Sequence, residues 1–592
     1  MTRARVSAVF VTIALLCTAC DRQEKHRPGQ PGAVGTSGSK GASVSDALDA
    51  GMPAFAGRDA HGTRVWKLTR QFYQNREDAP AWIENGKPTR QMDELIAAVQ
   101  AADREGLDPE LYSVPTLVAR RQEAGRGFLM AKGFAAAEAS QLDVWLTYLY
   151  LSYASDLTTG LANLPHADPD WKIRDKNADL VTLLRTSLDQ HRVGRSLQEL
   201  VPRHAQYTGL RDALTRYRQI AQQGGWAAVP SGLKLKPGQS NAAVPALAKR
   251  LAITGDFTGA ANDQDQTYGS DLQEAVKRFQ RRHGLEPDGA VGRAVIAALN
   301  VPVNDRINQI ALNLERWRWL PRELGDRYVL VNIPEYRLEV WDAGRVPLSM
   351  RVVVGKKDTP TPIFTDDMTY IVFAPYWNVP SDIVQKETLP SVMRDPAFLQ
   401  RTNMEVLDKR GNVVDPSSVD LDNPAGYRFR QRPGSSNSLG LVKFMFPNSY
   451  NVYLHDTPAD SLFARATRSF SHGCVRLEEP ARLAEYVLAD QPGWTAEKID
   501  AAMHAPEEHS VKLRRALPVY LGYWTARVAA DGILQFRDDL YGIDARQRAM
   551  LGEALEKMRV RAAQAATLFG TTGRSLPAAD RNQPVSIASR QH

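Results

Sequence analysis

The run Ser471-His472-Gly473-Cys474 combines the residue types of a cysteine nucleophile. The chain has three cysteines, and the other two, Cys17 and Cys20, lie in an N-terminal segment typical of an export signal. Cys474 is therefore expected to be the single cysteine of the mature protein, with no partner for an internal disulfide. Such a thiol is either an inert core residue or a reactive group. The adjacent glycine and histidine favour the reactive group.

A second histidine, His455, lies nineteen positions before Cys474. The segment 451–455 alternates like a strand, so that Tyr453 and His455 are expected on one face. A thiol is nucleophilic only as thiolate, and the pKa of free cysteine is about 8.5. An imidazole can take the thiol proton and later return it to a leaving amine. His455 and His472 are the two candidates for this base.

Residues next to the thiol suggest further contributions. Gly473 permits close approach of a substrate, and backbone amides near Cys474 can form an oxyanion hole. Arg476 follows two positions later and can pair with a substrate carboxylate. The eleven histidines and the single mature cysteine show no paired-ligand spacing, so no metal or cofactor is predicted.

The N-terminal residues 1–20 predict export from the cytoplasm. A short basic region precedes the apolar run 6–16, which is too short to span a bilayer and is typical of a signal peptide. The small residues before Cys20 resemble a bacterial lipoprotein cleavage site, where Cys20 would be lipidated, while cleavage after Ala19 would give a soluble exported protein. Asp21 resembles an inner-membrane retention signal of enteric-type lipoproteins. The expected location is the periplasm, anchored to the inner membrane through Cys20.

Length and composition indicate a large protein of several domains. The chain has 592 residues, 43% of them hydrophobic, and a net charge of +7. This charge agrees with ordinary solubility, or with affinity for an anionic polymer such as the cell wall. Nucleic-acid binding is not expected, because no basic stripe with interleaved aromatic residues occurs.

The first half of the chain reads as a linker followed by helices. Residues 21–58 are predicted to be a flexible linker, from their glycine, serine and proline content. Residues 59–238 are predicted to be a helical scaffold, with helical apolar spacing in 91–105 and a buried helix in 142–153. No catalytic cluster occurs there, and Asp156 is interpreted as a packing residue.

Residues 239–302 form a compact helical segment. The run 275–285, followed by Asp288-Gly289, resembles the small three-helix peptidoglycan-binding domain of cell-wall enzymes. A packing module without affinity for sugars is the alternative.

Residues 303–545 change to the period of two that is typical of strands. Residues 381–437 interrupt the pattern with charge, proline and asparagine, which predicts an insertion that caps the site. Residues 546–592 read as a helix followed by a polar tail, without an assigned role. The predicted fold class is multidomain α+β: a helical scaffold, a three-helix module and a mainly β catalytic domain with a capping insertion.

His455, its spacing to Cys474, and the run 471–476 resemble the motif of L,D-transpeptidases with a YkuD-type catalytic domain. Some members carry asparagine where this chain has Arg476, and the arginine form is similar to a large multidomain branch from Gram-negative bacteria. The order of segments also resembles that branch, as do residues 511–545, its closing β-segment.

The resemblance implies a specific reaction on tetrapeptide stems of peptidoglycan. Cys474 would attack the carbonyl of the third stem residue, release D-alanine and form a thioester, which an amine of another stem would resolve as a 3→3 cross-link. His455 would act as general acid/base, His472 would support it, and Arg476, Tyr453 and Trp377 would contact substrate. Carbapenems would acylate Cys474. Peptidoglycan synthases or carboxypeptidases would be partners by family analogy.

Other outcomes remain open at this stage. Water could resolve the same thioester, giving an L,D-carboxypeptidase, or another amine could exchange D-amino acids or attach a protein. A cell-wall-binding protein without activity is an alternative of a different class, and a general cysteine protease is a further one.

Overall fold

The computed structural model describes residues 43–125, 133–161, 168–173, 178–262, 264–419 and 426–570. The predicted signal peptide with Cys20 and the C-terminal residues 571–592 lie outside the described residues. The predicted multidomain α+β class is confirmed, with a helical scaffold, a helical module and a β-rich domain.

The scaffold is built from eight helices and three very short strands in its described part. The helices are α1 (Val44–Asp49), α2 (Ala60–Gln74), α3 (Arg90–Gln100), α4 (Val114–Gly125), α5 (Ala136–Thr159), α6 (Leu180–Asp189), α7 (Val193–Leu200) and α8 (Ala205–Gln222), and the strands are β1 (Ile83–Glu84), β2 (Lys87–Pro88) and β3 (Trp171–Lys172). The 24-residue helix α5 is buried on nearly all sides, so the other helices pack around it. In the described part of the chain, no helix has the length and apolar character of a membrane span.

The predicted flexible linker, residues 21–58, extends too far at its C-terminal end. Ser43 caps α1, and its side chain and that of Asp46 form a capping box. Val44, Leu48 and Phe55 are buried in the main core. The linker prediction followed glycine and serine content, and it overlooked these few apolar residues at helical spacing. Residues 43–58 are therefore part of the folded scaffold.

A separate three-helix module follows the scaffold. It contains α9 (Val244–Ile253), α10 (Ser270–Arg282) and α11 (Arg293–Leu299). Its apolar residues, among them Leu272, Val276 and Phe279 of α10, form a core of their own. His283 ends α10 as a packing residue, since its ring stacks on Phe279 and its Nδ1 lies 2.8 Å from the Phe279 carbonyl oxygen.

The helix α12 (Val303–Arg318) leads into a sheet that closes on itself. Its strands are β4 (Arg327–Asn332), β5 (Arg337–Asp342), β6 (Arg345–Gly355), β7 (Ile363–Phe373), β12 (Val442–Met445), β13 (Leu454–His455), β14 (Ser469–Ser471), β15 (Val475–Leu477) and β16 (His509–Gly522). The pairing order β12-β13-β15-β6-β5-β4-β16-β7 returns to β12 through a β7–β12 pair. The strand β14 pairs in parallel with β6, and β3 of the scaffold adds to β7. The helices α16 (Pro480–Leu488) and α17 (Ala496–Met503) follow β15.

The capping insertion is a small unit with its own core and sheet. Its elements are β8 (Trp377–Asn378), α13 (Ser381–Ile383), a π-helical turn (Val384–Thr388), α14 (Leu389–Arg394), α15 (Phe398–Arg401), β9 (Met404–Leu407), β10 (Val413–Val414) and β11 (Arg428–Gln431). The strands are ordered β10-β9-β11-β8, so the sheet includes Trp377 and begins before the predicted start at residue 381.

The chain ends with a hairpin and a long helix, β17 (Ala526–Val528), β18 (Leu534–Phe536) and α18 (Ile543–Phe569). The helix α18 returns to the scaffold, where Phe569 stacks on Trp145 with ring centroids 4.5 Å apart. Near its start, Asp544 accepts a buried hydrogen bond from Arg316 of α12 at 2.7 Å. The closing helix therefore ties the β domain to the scaffold.

Candidate active site

Cys474 lies in a tight loop between β14 and β15 that is braced by Ser471. The Ser471 hydroxyl donates to the Cys474 carbonyl oxygen at 2.5 Å and accepts the Gly473 N–H at 3.2 Å. Gly473 has a φ of +117°, which residues with a Cβ rarely adopt. The turn thus requires the glycine and fixes the backbone that carries the thiol.

A second brace comes from Thr361, which sequence reasoning missed. Its hydroxyl donates to the Gly473 carbonyl oxygen at 2.8 Å and accepts the Gly355 N–H at 2.9 Å. Tyr541, beyond β18, donates to the Gly355 carbonyl oxygen at 2.7 Å and accepts the Thr361 N–H at 3.2 Å. The alternating Thr-Pro run 359–362 was the available signal, since such residues mark a turn after a strand.

His455 lies on β13, which runs parallel to β15 with His455 opposite Arg476. Its Nδ1 lies 2.5 Å from the Asp456 carbonyl oxygen, so Nδ1 carries the proton and Nε2 is left with its lone pair. Burial, with a smaller contribution from the Arg476 charge, lowers the pKa of His455 to about 3, against opposing backbone hydrogen bonds. The imidazole is therefore neutral at neutral pH.

The Cys474 thiol contacts the segment 451–453, which leads into β13. Sγ of Cys474 lies 3.7 Å from the Asn451 carbonyl oxygen and is hydrogen-bonded by Tyr453. The rings of Tyr453 and His455 are 5.7 Å apart, although the strand predicted for 451–455 is limited to Leu454–His455. Within the described residues, Sγ makes no hydrogen bond with His455 or His472. Desolvation raises the pKa of the Cys474 thiol, and the Tyr453 hydrogen bonds and the Arg476 charge act against this rise.

Arg476 is a largely buried cation without a counter-ion in the described part of the chain. Its Nε is buried without a hydrogen-bond partner, and its guanidinium forms no ion pair there. Desolvation lowers the pKa of Arg476, while the charge of Cys474 raises it. An uncompensated buried cation is costly, so a site for an anion is the simplest use for it.

His472 points away from the thiol and toward the capping insertion. Its Nε2 lies 2.7 Å from Oε1 of Glu387, which belongs to the π-helical turn. Glu387 was not predicted, because nothing in its local sequence marks it. Trp377 is half-buried in β8, paired with Gln431, and no hydrogen bond or ring contact joins it to the Cys474 loop among the described residues.

Of the two backbone amides considered for an oxyanion hole, those of Gly473 and Cys474, only the Cys474 N–H is free to donate within the described residues. The Gly473 N–H is engaged with the Ser471 hydroxyl, whereas the Cys474 N–H makes no hydrogen bond within the described residues. In the same residues, no group of three or more His, Cys, Asp or Glu side chains is placed to hold a metal ion.

Family comparison matches residues 326–499 to the L,D-transpeptidase catalytic domain of the YkuD type. These residues include the Cys474 loop, the paired strands β13 and β15, and the capping insertion. Residues 326–499 form a catalytic domain of the L,D-transpeptidase family. The family predicted from the His455 and Cys474 motif is therefore confirmed.

Other parts of the chain match further families. Residues 240–299 match a peptidoglycan-binding domain, and residues 67–214 match a scaffold domain. A Haemophilus influenzae protein named for L,D-transpeptidase activity is 37% identical over 239 residues. The match covers 40% of this chain and 48% of that protein, so the chain spans about half the length of this relative.

Two solved L,D-transpeptidases are also similar. One is from Mycobacterium smegmatis, with 16% identity, a TM-score of 0.17 and coverage of 33% of this chain and 58% of that one. The other is in complex with imipenem, with 18% identity, a TM-score of 0.16 and coverage of 33% and 59%.

Proposed function

We propose that the chain is an L,D-transpeptidase that forms 3→3 cross-links in peptidoglycan through a thioester on Cys474. The observation that carries the proposal is the grouping, in a catalytic domain of this family, of an unpaired thiol, a neutral imidazole and an unpaired buried cation. The peptidoglycan-binding family of residues 240–299 supports the polymer as substrate.

In the proposed first step, Sγ of Cys474 attacks the carbonyl carbon of the third stem residue. The thiol proton passes to His455, and the imidazole delivers it to the amine of D-alanine as the C–N bond breaks. In the second step, a side-chain amine of another stem attacks the thioester, loses a proton to His455 and expels the thiolate. The sum is one amide broken and one amide formed.

His455 suits the acid/base role because its state is defined. The Nδ1 bond to the Asp456 carbonyl leaves Nε2 as the proton acceptor. In the structure the thiol points to the Asn451 carbonyl, so we propose that Sγ turns from Asn451 to His455 when substrate enters. Catalytic hydrogen bonds often form only in the substrate complex.

Arg476 and Tyr453 are proposed to bind the reacting groups. The unpaired guanidinium of Arg476 can hold a carboxylate of the donor stem, and its charge stabilises the thiolate. The Tyr453 hydroxyl is hydrogen-bonded to the thiol, so it can follow the sulfur during attack. The free Cys474 N–H is the proposed oxyanion donor, in a loop held by Gly473.

The capping insertion is proposed to favour transfer over hydrolysis. Through Glu387 and His472 it contacts the loop of the nucleophile directly. A cap in this position limits water at the thioester while the donor stem is bound. Trp377, at the edge of the cap sheet, is proposed to contact the stem once the cap closes.

The test is mass spectrometry of products from disaccharide-tetrapeptide incubated with residues 21–592, beside Cys474→Ala. A cross-linked dimer that has lost one D-alanine, absent with the variant, is expected. Tripeptide alone would indicate a hydrolase. In parallel incubations, incorporation of an added D-amino acid would indicate D-amino-acid exchange, and cleavage of added casein would indicate a protease. No product and no imipenem adduct on Cys474 would leave a wall-binding protein.

We also propose that the protein is a periplasmic lipoprotein anchored through Cys20. The support is the sequence of residues 1–20, since Cys20 lies outside the described residues. Metabolic labelling with a radioactive fatty acid should mark the wild-type chain and not the Cys20→Ala variant. A soluble, unlabelled wild-type protein would contradict the anchor.

A further inference from the structure

A cleft of about 630 Å³ opens where the three-helix module meets the rest of the protein. One wall is α8 of the scaffold, a second is α10 and the turn at 254–256 of the module, and the third is the β17–β18 hairpin. This volume is within the range of ligand sites, about 300–1,000 Å³. None of the residues that line the cleft belongs to the Cys474 site.

Arginines from two different domains face this cleft. Arg282 is neutralised by Asp256, with Nε 2.6 Å from Oδ1. Arg216 donates to the Thr254 carbonyl oxygen at 3.0 Å, and Arg278 donates to the Asp256 carbonyl oxygen at 2.9 Å. These two bonds go to backbone oxygens, and neither guanidinium forms an ion pair among the described residues. Glu274, which lies near Arg278, is paired with Lys277.

Arg281 is a second exposed arginine of α10. Within the described residues its side chain makes no hydrogen bond or ion pair. The carboxylates that line the cleft besides Asp256 are Asp212 and Asp531, and Asp531 accepts the Ile533 N–H at 3.0 Å. Three guanidiniums that form no ion pair in the described part of the chain, those of Arg216, Arg278 and Arg281, therefore face two carboxylates.

Two further arginines, Arg250 and Arg306, are buried near Arg282, which lines the cleft. Arg250 lies over the Trp226 ring at 3.8 Å, and Arg306 lies over the Phe536 ring at 4.4 Å, and neither forms an ion pair among the described residues. Burial, with the charge of Arg282 contributing, lowers the pKa of Arg250 to about 9 and that of Arg306 to about 10. Four arginines, Arg216, Arg278, Arg281 and Arg282, thus line a cleft with three aspartates, Asp212, Asp256 and Asp531.

We propose that this cleft binds the carboxylate-bearing peptide stems of peptidoglycan, as a second substrate site apart from Cys474. The proposal rests on the proposed function for the identity of the polymer. Guanidinium groups match carboxylates through paired hydrogen bonds. The stems carry the carboxylates of peptidoglycan, whereas a glycan strand would call for an exposed aromatic platform, and the aromatic residue lining this cleft, Tyr217, is buried.

The three-helix module is hydrogen-bonded to the residue that follows β18. Arg537, just after β18, donates to the Arg282 carbonyl oxygen at 3.0 Å and lies against Gly284. A stem held in the cleft would therefore keep its strand at a set distance and orientation from Cys474. The cleft would raise the local concentration of stems for the reaction.

The test is co-sedimentation of residues 21–592 with purified peptidoglycan sacculi, in a Cys474→Ala background that prevents turnover. The double variant Arg278→Gln/Arg281→Gln should bind about tenfold more weakly, the scale of one charge-assisted hydrogen bond. Arg293→Gln is the matched control, because Arg293 is an exposed arginine of the same module that does not line the cleft. It should bind as the parent does.

A second arm identifies the ligand chemistry. Sacculi whose carboxyl groups have been converted to amides should bind the parent about as weakly as normal sacculi bind the double variant. Equal binding of parent and double variant would overturn the proposal, and so would undiminished binding to amidated sacculi, which would assign the affinity to glycan. With Cys474 restored, the double variant should still form an imipenem adduct and convert soluble tetrapeptide. If the wild-type protein with Cys474 showed neither activity, that result would refute the proposed function and would leave the proposed binding at the cleft untouched.

Discussion

His472 and Glu387 are joined by a 2.7 Å contact between Nε2 and Oε1, which links the nucleophile loop to the capping insertion. The two residues are 85 positions apart in the chain. The contact closes one side of the site without involving the thiol. It gives His472 a role at the cap and leaves His455 as the imidazole on the strand beside Cys474.

Removing the charge at this contact should loosen the cap. Glu387→Gln is expected to raise the ratio of hydrolysis to transfer about threefold, since the side chains are 53% and 31% exposed and an exposed pair is worth about 0.2–1 kcal/mol. The ratio of tripeptide to dimer measures it. Glu485→Gln, an exposed glutamate of α16 without a hydrogen bond in the described residues, is the control. An unchanged ratio would show that the contact does not hold the cap.

Tyr541 is expected to position the nucleophile loop from a distance. Tyr541→Phe removes the hydroxyl that holds Gly355 and Thr361, and Thr361 in turn holds Gly473. The rate of imipenem acylation should fall about tenfold, because small displacements of reacting groups are costly. Tyr370→Phe, whose hydroxyl makes no hydrogen bond in the described residues, should acylate normally. Equal rates for both variants would remove Tyr541 from the positioning of Cys474.

The pH dependence of imipenem acylation is expected to reflect ionisation of the Cys474 thiol and not protonation of the His455 imidazole. Desolvation raises the pKa of Cys474, so the thiolate fraction and the imipenem acylation rate should keep rising with pH beyond neutrality. The pKa of His455 is about 3, so its titration adds no step between about pH 5 and 9. Stopped-flow measurements of acylation across this range test both statements. A rate that levels off below neutral pH would contradict them.

Substitution of Arg476 is expected to shift the pH profile of imipenem acylation to higher pH. Its charge lowers the pKa of Cys474, so Arg476→Gln is expected to raise this pKa and move the profile to higher pH. At neutral pH, acylation should slow by about tenfold for each unit of the shift. Ultraviolet absorbance of the thiolate during a pH titration measures the pKa directly, with Arg293→Gln as control. A profile at the parent's position would show that the guanidinium does not act on the sulfur.

The closing helix α18 is expected to stabilise the scaffold. Phe569 is 3% exposed and packs on Trp145, and Phe569→Ala should lower the free energy of unfolding of the scaffold by about 3 kcal/mol. Its neighbour Leu568 is 53% exposed, so Leu568→Ala should change the stability by less than about 0.5 kcal/mol. Urea unfolding followed by tryptophan fluorescence compares the two. Similar midpoints would mean that the end of α18 contributes no packing.

Local patterns in the sequence predicted most elements, because period and composition act over short ranges. The alternation in 328–333 and 336–341 became β4 and β5, and the apolar spacing of 91–105 became α3 and a following 3₁₀ turn. The motif around Cys474 led to the family for a similar reason, since its residues are close together in sequence.

The partners of the site were not predictable in the same way. Thr361 lies 112 positions before the Gly473 carbonyl that it binds, and Tyr541 lies 186 positions after Gly355. Only the closure of the sheet brings such residues together, and a single sequence carries no signal for these pairs. The cleft arginines are a similar case, because Arg216 and Arg278 face one space from two different domains.

The contact of Phe55 with Phe569, at 5.9 Å between ring centroids, joins the two ends of the described chain. A contact between residues so distant in sequence requires closure of a very long loop, which slows folding. The scaffold interior is complete only once the closing helix α18 has been synthesised. A chain shortened before α18 would leave Phe55 and Trp145 without the Phe569 ring and would expose apolar surface of the scaffold.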